Sequence, residues 1–168
     1  MGATYIIETI RCRLRPLEPD DAEKMYALNL DPEVIRFTGD ASFSSVDEAR
    51  TFLKAYDQYK KYGIGRWVVE RKEDKEVIGW CGLKFHPDDD LYDIGYRFFR
   101  KYWGQGYATE TAGACLRYGR EQLGLAEVYA HAMTGNIASW KVLEKLGMKR
   151  MEEIMMDGEP AYLYKVQF

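Results

Sequence analysis

The residues best suited to chemistry lie in one short stretch of this 168-residue sequence: Arg100-Lys101-Tyr102-Trp103-Gly104-Gln105-Gly106-Tyr107-Ala108-Thr109. It falls between a strand-like segment and a helical one. Glycine reaches positive φ without steric cost, so Gly104 and Gly106 let successive backbone N–H groups turn inward as an anion nest. The helix that follows presents the positive end of its dipole and its unpaired first-turn N–H groups. Arg100 and Lys101 add charge, and the combination suits a pyrophosphate. The competing reading is a tight β–α turn whose glycines only ease packing. The longer dinucleotide pattern G-x-G-x-x-G is incomplete, because Thr109 stands at its third glycine. No acidic residue ends the next strand in the expected context, which disfavours NAD.

Other reactive side chains are few. Cys12, Cys81 and Cys115 lie far apart, and there is no CxxC. Cys81 and Cys115 sit within strand and helix patterns, where a thiol is more often buried and inert than reactive. Two histidines are too few for an ordinary zinc site, so no metal is expected. His86 precedes Pro87 in a turn and His131 lies on an apolar strand; both read as structural.

Composition narrows the class. At 46% hydrophobic and 30% charged residues, the chain is globular rather than disordered, and its length favours a single domain over 1–168. Thirteen Tyr and four Trp suit β-strands and a stacking pocket. A net charge of −3 argues against a general nucleic-acid coat protein, since phosphate binding needs a basic surplus. No apolar run approaches the ~20 residues of a membrane span. The opening Met1-Gly2-Ala3-Thr4-Tyr5-Ile6 lacks a signal peptide's apolar region, and Ile6 breaks the myristoylation pattern. A cytoplasmic, reduced protein is expected.

These groups must be positioned by a mixed α/β chain. Arg11–Arg15 alternates like a strand. Helices follow from Pro19-Asp20-Asp21 onward and over Asp31–Arg36. A capping box at Ser45 and Glu48 opens a helix expected to run to about Tyr62. Strands over Ile64–Arg71, Val77–Phe85 and Leu91–Phe99 form an antiparallel meander, and Asp88-Asp89-Asp90 reads as a solvated turn. A helix over Tyr107–Leu123, a strand over Val128–Met133, a helix over Ile137–Leu146 closed by Gly147, and a terminal hairpin complete the order.

In this setting the sequence resembles the GNAT N-acetyltransferases, and within them the RimJ/RimL-type branch. Leu14-Arg15-Pro16-Leu17-Glu18-Pro19-Asp20-Asp21-Ala22 and Asp31-Pro32-Glu33-Val34-Ile35-Arg36 resemble that branch's opening. Asp93-Ile94-Gly95-Tyr96 followed by Tyr102–Glu110 is similar to its acetyl-CoA signature. Asn136-Ile137-Ala138-Ser139-Trp140-Lys141-Val142-Leu143-Glu144-Lys145-Leu146-Gly147-Met148 resembles its second cofactor segment. The order of the three segments makes the match specific. The family's turn pattern is Arg or Gln, two residues, Gly, one residue, then Gly or Ala. Here Lys101 departs at the first position, while Gly104 and Gly106 keep the backbone geometry.

The resemblance implies a mostly antiparallel mixed sheet flanked by helices. The fourth and fifth strands of the family fold, Leu91–Phe99 and Ala126–Met133 here, start together and splay apart. Tyr96, Arg97 and Phe98 are expected to offer main-chain groups to the pantetheine amides of acetyl-CoA, like an added strand. Trp103, Gly104, Gln105, Gly106, Tyr107, Ala108 and Thr109 are expected to hold the pyrophosphate. Asn136 matches the family's pantetheine-binding asparagine, or serves only as an N-cap. Lys141 pairs with a CoA phosphate or is a solvated helix charge. A main-chain amide near Arg97 or Phe98 is the candidate oxyanion donor.

Acetyl transfer to an amine requires a neutral amine, donors for the developing oxyanion, and help for the departing thiolate. Asp93 stands where family members often carry a glutamate near the acceptor amine, and is the candidate base. Alternatively it is an edge charge answering Arg97 on the same strand face. Leu143 occupies the position of the family's acidic tyrosine, so that group is missing. Ser139, where the branch commonly has serine, can donate to sulfur or cap its helix. Direct attack in a ternary complex is preferred to a covalent route, with a protein N-terminal α-amine as one acceptor. Polyamines and other small amines, a longer-chain acyl donor, and a non-catalytic acetyl-CoA sensor are the alternatives. Phe37, Phe43 and Trp67 are candidate walls of the acceptor site, and two copies could pair through the terminal hairpin.

Overall fold

The computed structural model describes residues 4–168. The expectation about the leading residues rests partly on Met1–Ala3, which lie outside the described residues. Eight strands join one sheet in the order β1-β2-β3-β4-β5-β6-β8-β7. Along the chain these are β1 (Ile7–Glu8), β2 (Cys12–Pro16), β3 (Arg66–Arg71), β4 (Val77–His86), β5 (Leu91–Phe98), β6 (Glu127–Met133), β7 (Lys149–Met156) and β8 (Glu159–Gln167). The helices are α1 (Ala22–Leu30), α2 (Pro32–Ile35), α3 (Val46–Ala55), α4 (Gln58–Tyr62), α5 (Tyr107–Glu121) and α6 (Ile137–Lys145). Every neighbouring pair of strands is antiparallel except β5 and β6. The expected mixed, mostly antiparallel α/β architecture is therefore the one observed.

The two faces of the sheet bury different cores. On one face α5 and α6 cover Leu14, Val69, Cys81, Leu83, Ile94 and Tyr164, and all three cysteines are buried free thiols. On the other, Ala22, Met25, Leu28, Val34, Ala49 and Leu53 of α1–α3 pack together and against Trp80. Trp67 belongs to the first core, 1% exposed and edge-on to Tyr118, so it walls no acceptor site. Among the described residues no helix is long and apolar enough to cross a membrane, and no group of three or more His, Cys, Asp or Glu gathers as a metal site.

The helix expected to run to Tyr62 is broken. Tyr56 takes an extended ψ of 113°, and its hydroxyl accepts a hydrogen bond from Arg66 N at 2.8 Å. The Tyr59 hydroxyl donates to Arg66 O and accepts from Leu17 N. Both tyrosines thus turn inward to satisfy the backbone where β3 begins, which an uninterrupted helix would prevent. Gly65 is the residue this requires: a Cβ there would lie 2.5 Å from the Tyr59 ring. The β7–β8 turn closes against the α2–α3 segment, where a Cβ on Gly39 would meet Asp157 Oδ2 at 2.2 Å.

Candidate active site

The one parallel junction shapes the site. β5 and β6 pair only at Asp93 and Tyr129 and then diverge. A cavity of about 560 Å³ includes this gap, lined by Tyr96, Ser139 and Leu143 towards α6, and by Phe37, Phe43 and Trp80 towards α1–α3. Phe99 N donates to Ile78 O across β4, and backbone groups alternate along a strand, so Arg97 also commits its main chain to β4. Tyr96 and Phe98 turn theirs to the gap. This corrects the expectation for Arg97. The Phe98 carbonyl accepts the Trp103 indole N–H at 2.9 Å, which fixes the half-exposed Trp103 at the end of the gap.

The glycine turn adopts the geometry an anion nest needs. Gly104 has φ +71° and Gly106, the N-cap of α5, has φ +84°. The first i→i−4 bond of α5 runs from Glu110 N to Gly106 O. The N–H groups of Tyr107, Ala108 and Thr109 precede it and have no intrahelical acceptor. The turn is fastened from the residue before β2: Arg11 Nη2 donates to Gln105 O at 3.0 Å, and Arg11 Nε donates to Glu110 at 2.8 Å. Glu110 also accepts from Thr9 Oγ1 and Arg11 N. Burial raises the Glu110 pKa, but these bonds and the Arg11 charge outweigh it and hold the carboxylate ionised. Arg100, expected to lend charge to the turn, instead binds Asp31 with both Nε and Nη2 at 2.9 Å. Lys101 is exposed beside the Tyr102 ring, and Lys141 is exposed on α6.

Towards α1–α3 the sheet carries a charged cluster. Asp93, 4% exposed, accepts a hydrogen bond from His86 Nε2 at 2.9 Å, and its Oδ1 lies 2.8 Å from Arg66 Nη1. That ion pair is out of line for a hydrogen bond, so Oδ1 has no donor among the described residues. Arg66 Nη1 donates instead to Gly82 O at 2.7 Å. Burial raises the Asp93 pKa, but Arg66 and His86 overcome it and hold the carboxyl well below the usual range. A carboxylate so stabilised is a poor proton acceptor at neutral pH. The expected pairing of Asp93 with Arg97 is corrected: Asp93 meets Arg66 and His86 instead. Arg97 reaches the other way, donating to Asn29 Oδ1 at 2.8 Å and Asp40 Oδ2 at 2.7 Å. Gly95 of the Asp93-Ile94-Gly95-Tyr96 motif has a steric reason: a Cβ there would stand 2.8 Å from Arg66 Cζ.

Towards α6 the cavity carries hydroxyls. The Tyr96 hydroxyl lies 3.0 Å from Ser139 O and 3.1 Å from Ser139 Oγ. Donating to the carbonyl leaves it free to accept from the Ser139 hydroxyl. Burial raises the phenol's pKa, so it stays protonated. Leu143, one turn along α6, is 1% exposed. Asn136 lines the cavity, and its side chain makes no capping bond.

The structure thus brings Tyr96, Phe98, Ser139 and Asn136 to the gap and the Trp103–Thr109 turn to its end. Sequence reasoning missed Arg66, Trp80, the Arg11–Glu110 fastening and the cavity-facing position of His131. Only His131 carried a signal, as a polar residue alternating with small ones on a strand.

Residues 11–149 match the family model described as an acetyltransferase (GNAT) domain, and the chain belongs to that family. It is 35% identical to the uncharacterized N-acetyltransferase YoaA of Bacillus subtilis, over 86% of this chain and 83% of that protein. It is 34% identical to the FsC-acetyl coenzyme A-N(2)-transacetylase of Aspergillus fumigatus, over 87% of this chain and 66% of that one. A GNAT-family acetyltransferase structure from Bacillus anthracis superposes with a TM-score of 0.83 at 26% identity, covering 96% of this chain and 97% of that one. The protein is an N-acetyltransferase, and the splayed strands and glycine turn fit acetyl-CoA as its acetyl donor.

Proposed function

We propose that the protein transfers acetyl from acetyl-CoA to a primary α-amine, such as a protein N-terminus, by direct attack in a ternary complex, as in the RimJ/RimL-type branch. The observation that carries this reading is the cavity that includes the β5–β6 gap, with hydroxyls on its α6 side and aromatic walls towards α1–α3. Acetyl-CoA supplies an activated acetyl carbon and a thiolate leaving group. Gap-facing groups of Tyr96 and Phe98 take the pantetheine amides, and the Phe98 N–H is the oxyanion donor. Amides from Trp103 to Thr109 hold the diphosphate, with Lys101 and Lys141 at the phosphates. Asn136 binds pantetheine, and Ser139 stabilises the departing sulfur.

The α-amine preference rests on proton chemistry. With Asp93 committed to Arg66 and His86, the site lacks a strong carboxylate base. An α-amine of pKa ~7.7–8.0 is already neutral in roughly a tenth to a fifth of molecules at pH 7, against a few per ten thousand for lysine. A cytoplasmic location belongs to the same proposal, supported by three free, buried cysteines. So does pairing of two copies along the outer edge of β7. An acceptor screen with acetyl-CoA tests the function, reading released thiol and product mass. α-Amino peptides should be acetylated ahead of spermidine. Binding of acetyl-CoA with no thiol release across the amine panel would favour a sensor instead.

A further inference from the structure

The geometry points to His131 as the catalytic base that receives the proton of the attacking amine. This rests on the proposed acetyl transfer and adds a residue to it. His131 lies two residues beyond Tyr129, the β6 partner of Asp93, so it shares the sheet face of Asp93 just where the strands part. It is exposed to the cavity and lines it, together with Trp80 and Arg97. The two histidines differ in their engagement. His86 Nε2 bonds Asp93, whereas the His131 ring has no hydrogen-bond partner among the described residues.

The charges around His131 come from several elements. Arg66 on β3 and His86 on β4 disfavour the imidazolium, while Asp93 on β5 and Asp157 in the β7–β8 turn favour it. Lys84 on β4 and Asp40 before α3 line the same cavity. Enclosure by protein dominates, and the net effect lowers the His131 pKa, so the ring is neutral at pH 7. A neutral imidazole can take a proton that the Asp93 carboxylate, held ionised by its cations, takes poorly.

In this step the amine nitrogen forms a bond to the acetyl carbon. The carbon–sulfur bond breaks, and its electron pair leaves on sulfur. The proton lost by nitrogen passes to a His131 ring nitrogen, directly or through one water, and returns through solvent to the thiolate. The amide and free coenzyme A thiol balance the reaction.

The test compares full-length wild type with His131→Gln and His131→Ala, using the best acceptor among an α-amino tripeptide, spermidine and free alanine. Below both pKa values, log kcat/KM for wild type should fall with a slope of about two, one unit from the amine and one from the imidazole. In the variants the slope should drop to about one, and the rate should fall roughly a hundredfold or more. Calorimetric affinity for coenzyme A and the melting temperature should stay unchanged. With two histidines in the chain, the NMR signal lost in His131→Gln identifies the ring, whose titration should fall below the ordinary imidazole value. A variant that keeps the steeper slope and near-wild-type rate overturns the role. Failure of the acetyltransferase reading has a different signature: wild type that binds acetyl-CoA and releases no thiol with any amine.

Discussion

The Tyr96 hydroxyl joins β5 to α6 by meeting Ser139 at two atoms, its carbonyl oxygen at 3.0 Å and its Oγ at 3.1 Å. The strand that parts from β6 is thus pinned to the helix beyond β6 across the gap itself. A tyrosine rising from the strand brings a phenol to within one turn of Leu143, the helix position where the sequence lacks one.

Replacing either member should affect transfer more than folding. Ser139→Ala and Tyr96→Phe each remove hydrogen bonds worth about 0.5–1.5 kcal/mol net. Both variants should therefore melt close to wild type while kcat falls about tenfold, the scale of one lost charge-stabilising donor of about 1.4 kcal/mol. Steady-state kinetics beside thermal melts checks this. Because the Tyr96 pKa is raised, ionisation of that phenol should produce no loss of activity below about pH 10.

Asp93 should govern acid stability. Its folded pKa lies below its unfolded one, so its contribution is fully present above the unfolded carboxylate pKa of about 3.9. That contribution is lost as pH falls towards the lower folded value. Melting temperatures taken downward from pH 5 should fall more steeply for wild type than for Asp93→Asn. At neutral pH, Asp93→Ala should cost about 3–5 kcal/mol by stranding Arg66 in a buried site. Urea titration measures this.

Gly95→Ala tests the space beneath Arg66. The added methyl would stand 2.8 Å from the guanidinium carbon, so Arg66 must leave Asp93 or the strand must shift. We expect lower stability, by about 1–3 kcal/mol as for other overpacked sites, and slower transfer. The same substitution in an Asp93→Asn, Arg66→Met background should be milder, which a double-mutant comparison of melting and kcat resolves.

Much of this was legible in the sequence, because it depends on local chemistry. Gly104 and Gly106 stand at positive φ as their turn requires. Ser45 accepts from Glu48 N at 3.1 Å as a cap should, although Glu48 answers Ser44 rather than Ser45. What stayed hidden depends on partners distant in sequence. Nothing local to Asp93 announces Arg66 on another strand, and nothing local to Arg100 announces Asp31. The break after Ala55 was unreadable for the same reason: Tyr56 and Tyr59 look like an apolar helical stripe until β3 offers them a backbone to satisfy.

Gly106→Ala should separate the turn's backbone from its charges. At φ +84° an alanine costs about 1–2 kcal/mol, and relaxation would re-aim the first N–H groups of α5. Affinity for coenzyme A should fall about tenfold or more, the equivalent of 1.4 kcal/mol. Dephosphorylated pantetheine, which has no diphosphate, should bind wild type and variant alike in calorimetry.

The most direct measurement is a crystal structure of the protein with acetyl-CoA, with calorimetry on the same sample. The pantetheine arm should lie between β5 and β6 against Tyr96 and Phe98, with the diphosphate on the amides of Gly104–Thr109 and one molecule bound per chain. An empty gap, or saturating nucleotide that produces no heat, would contradict the account.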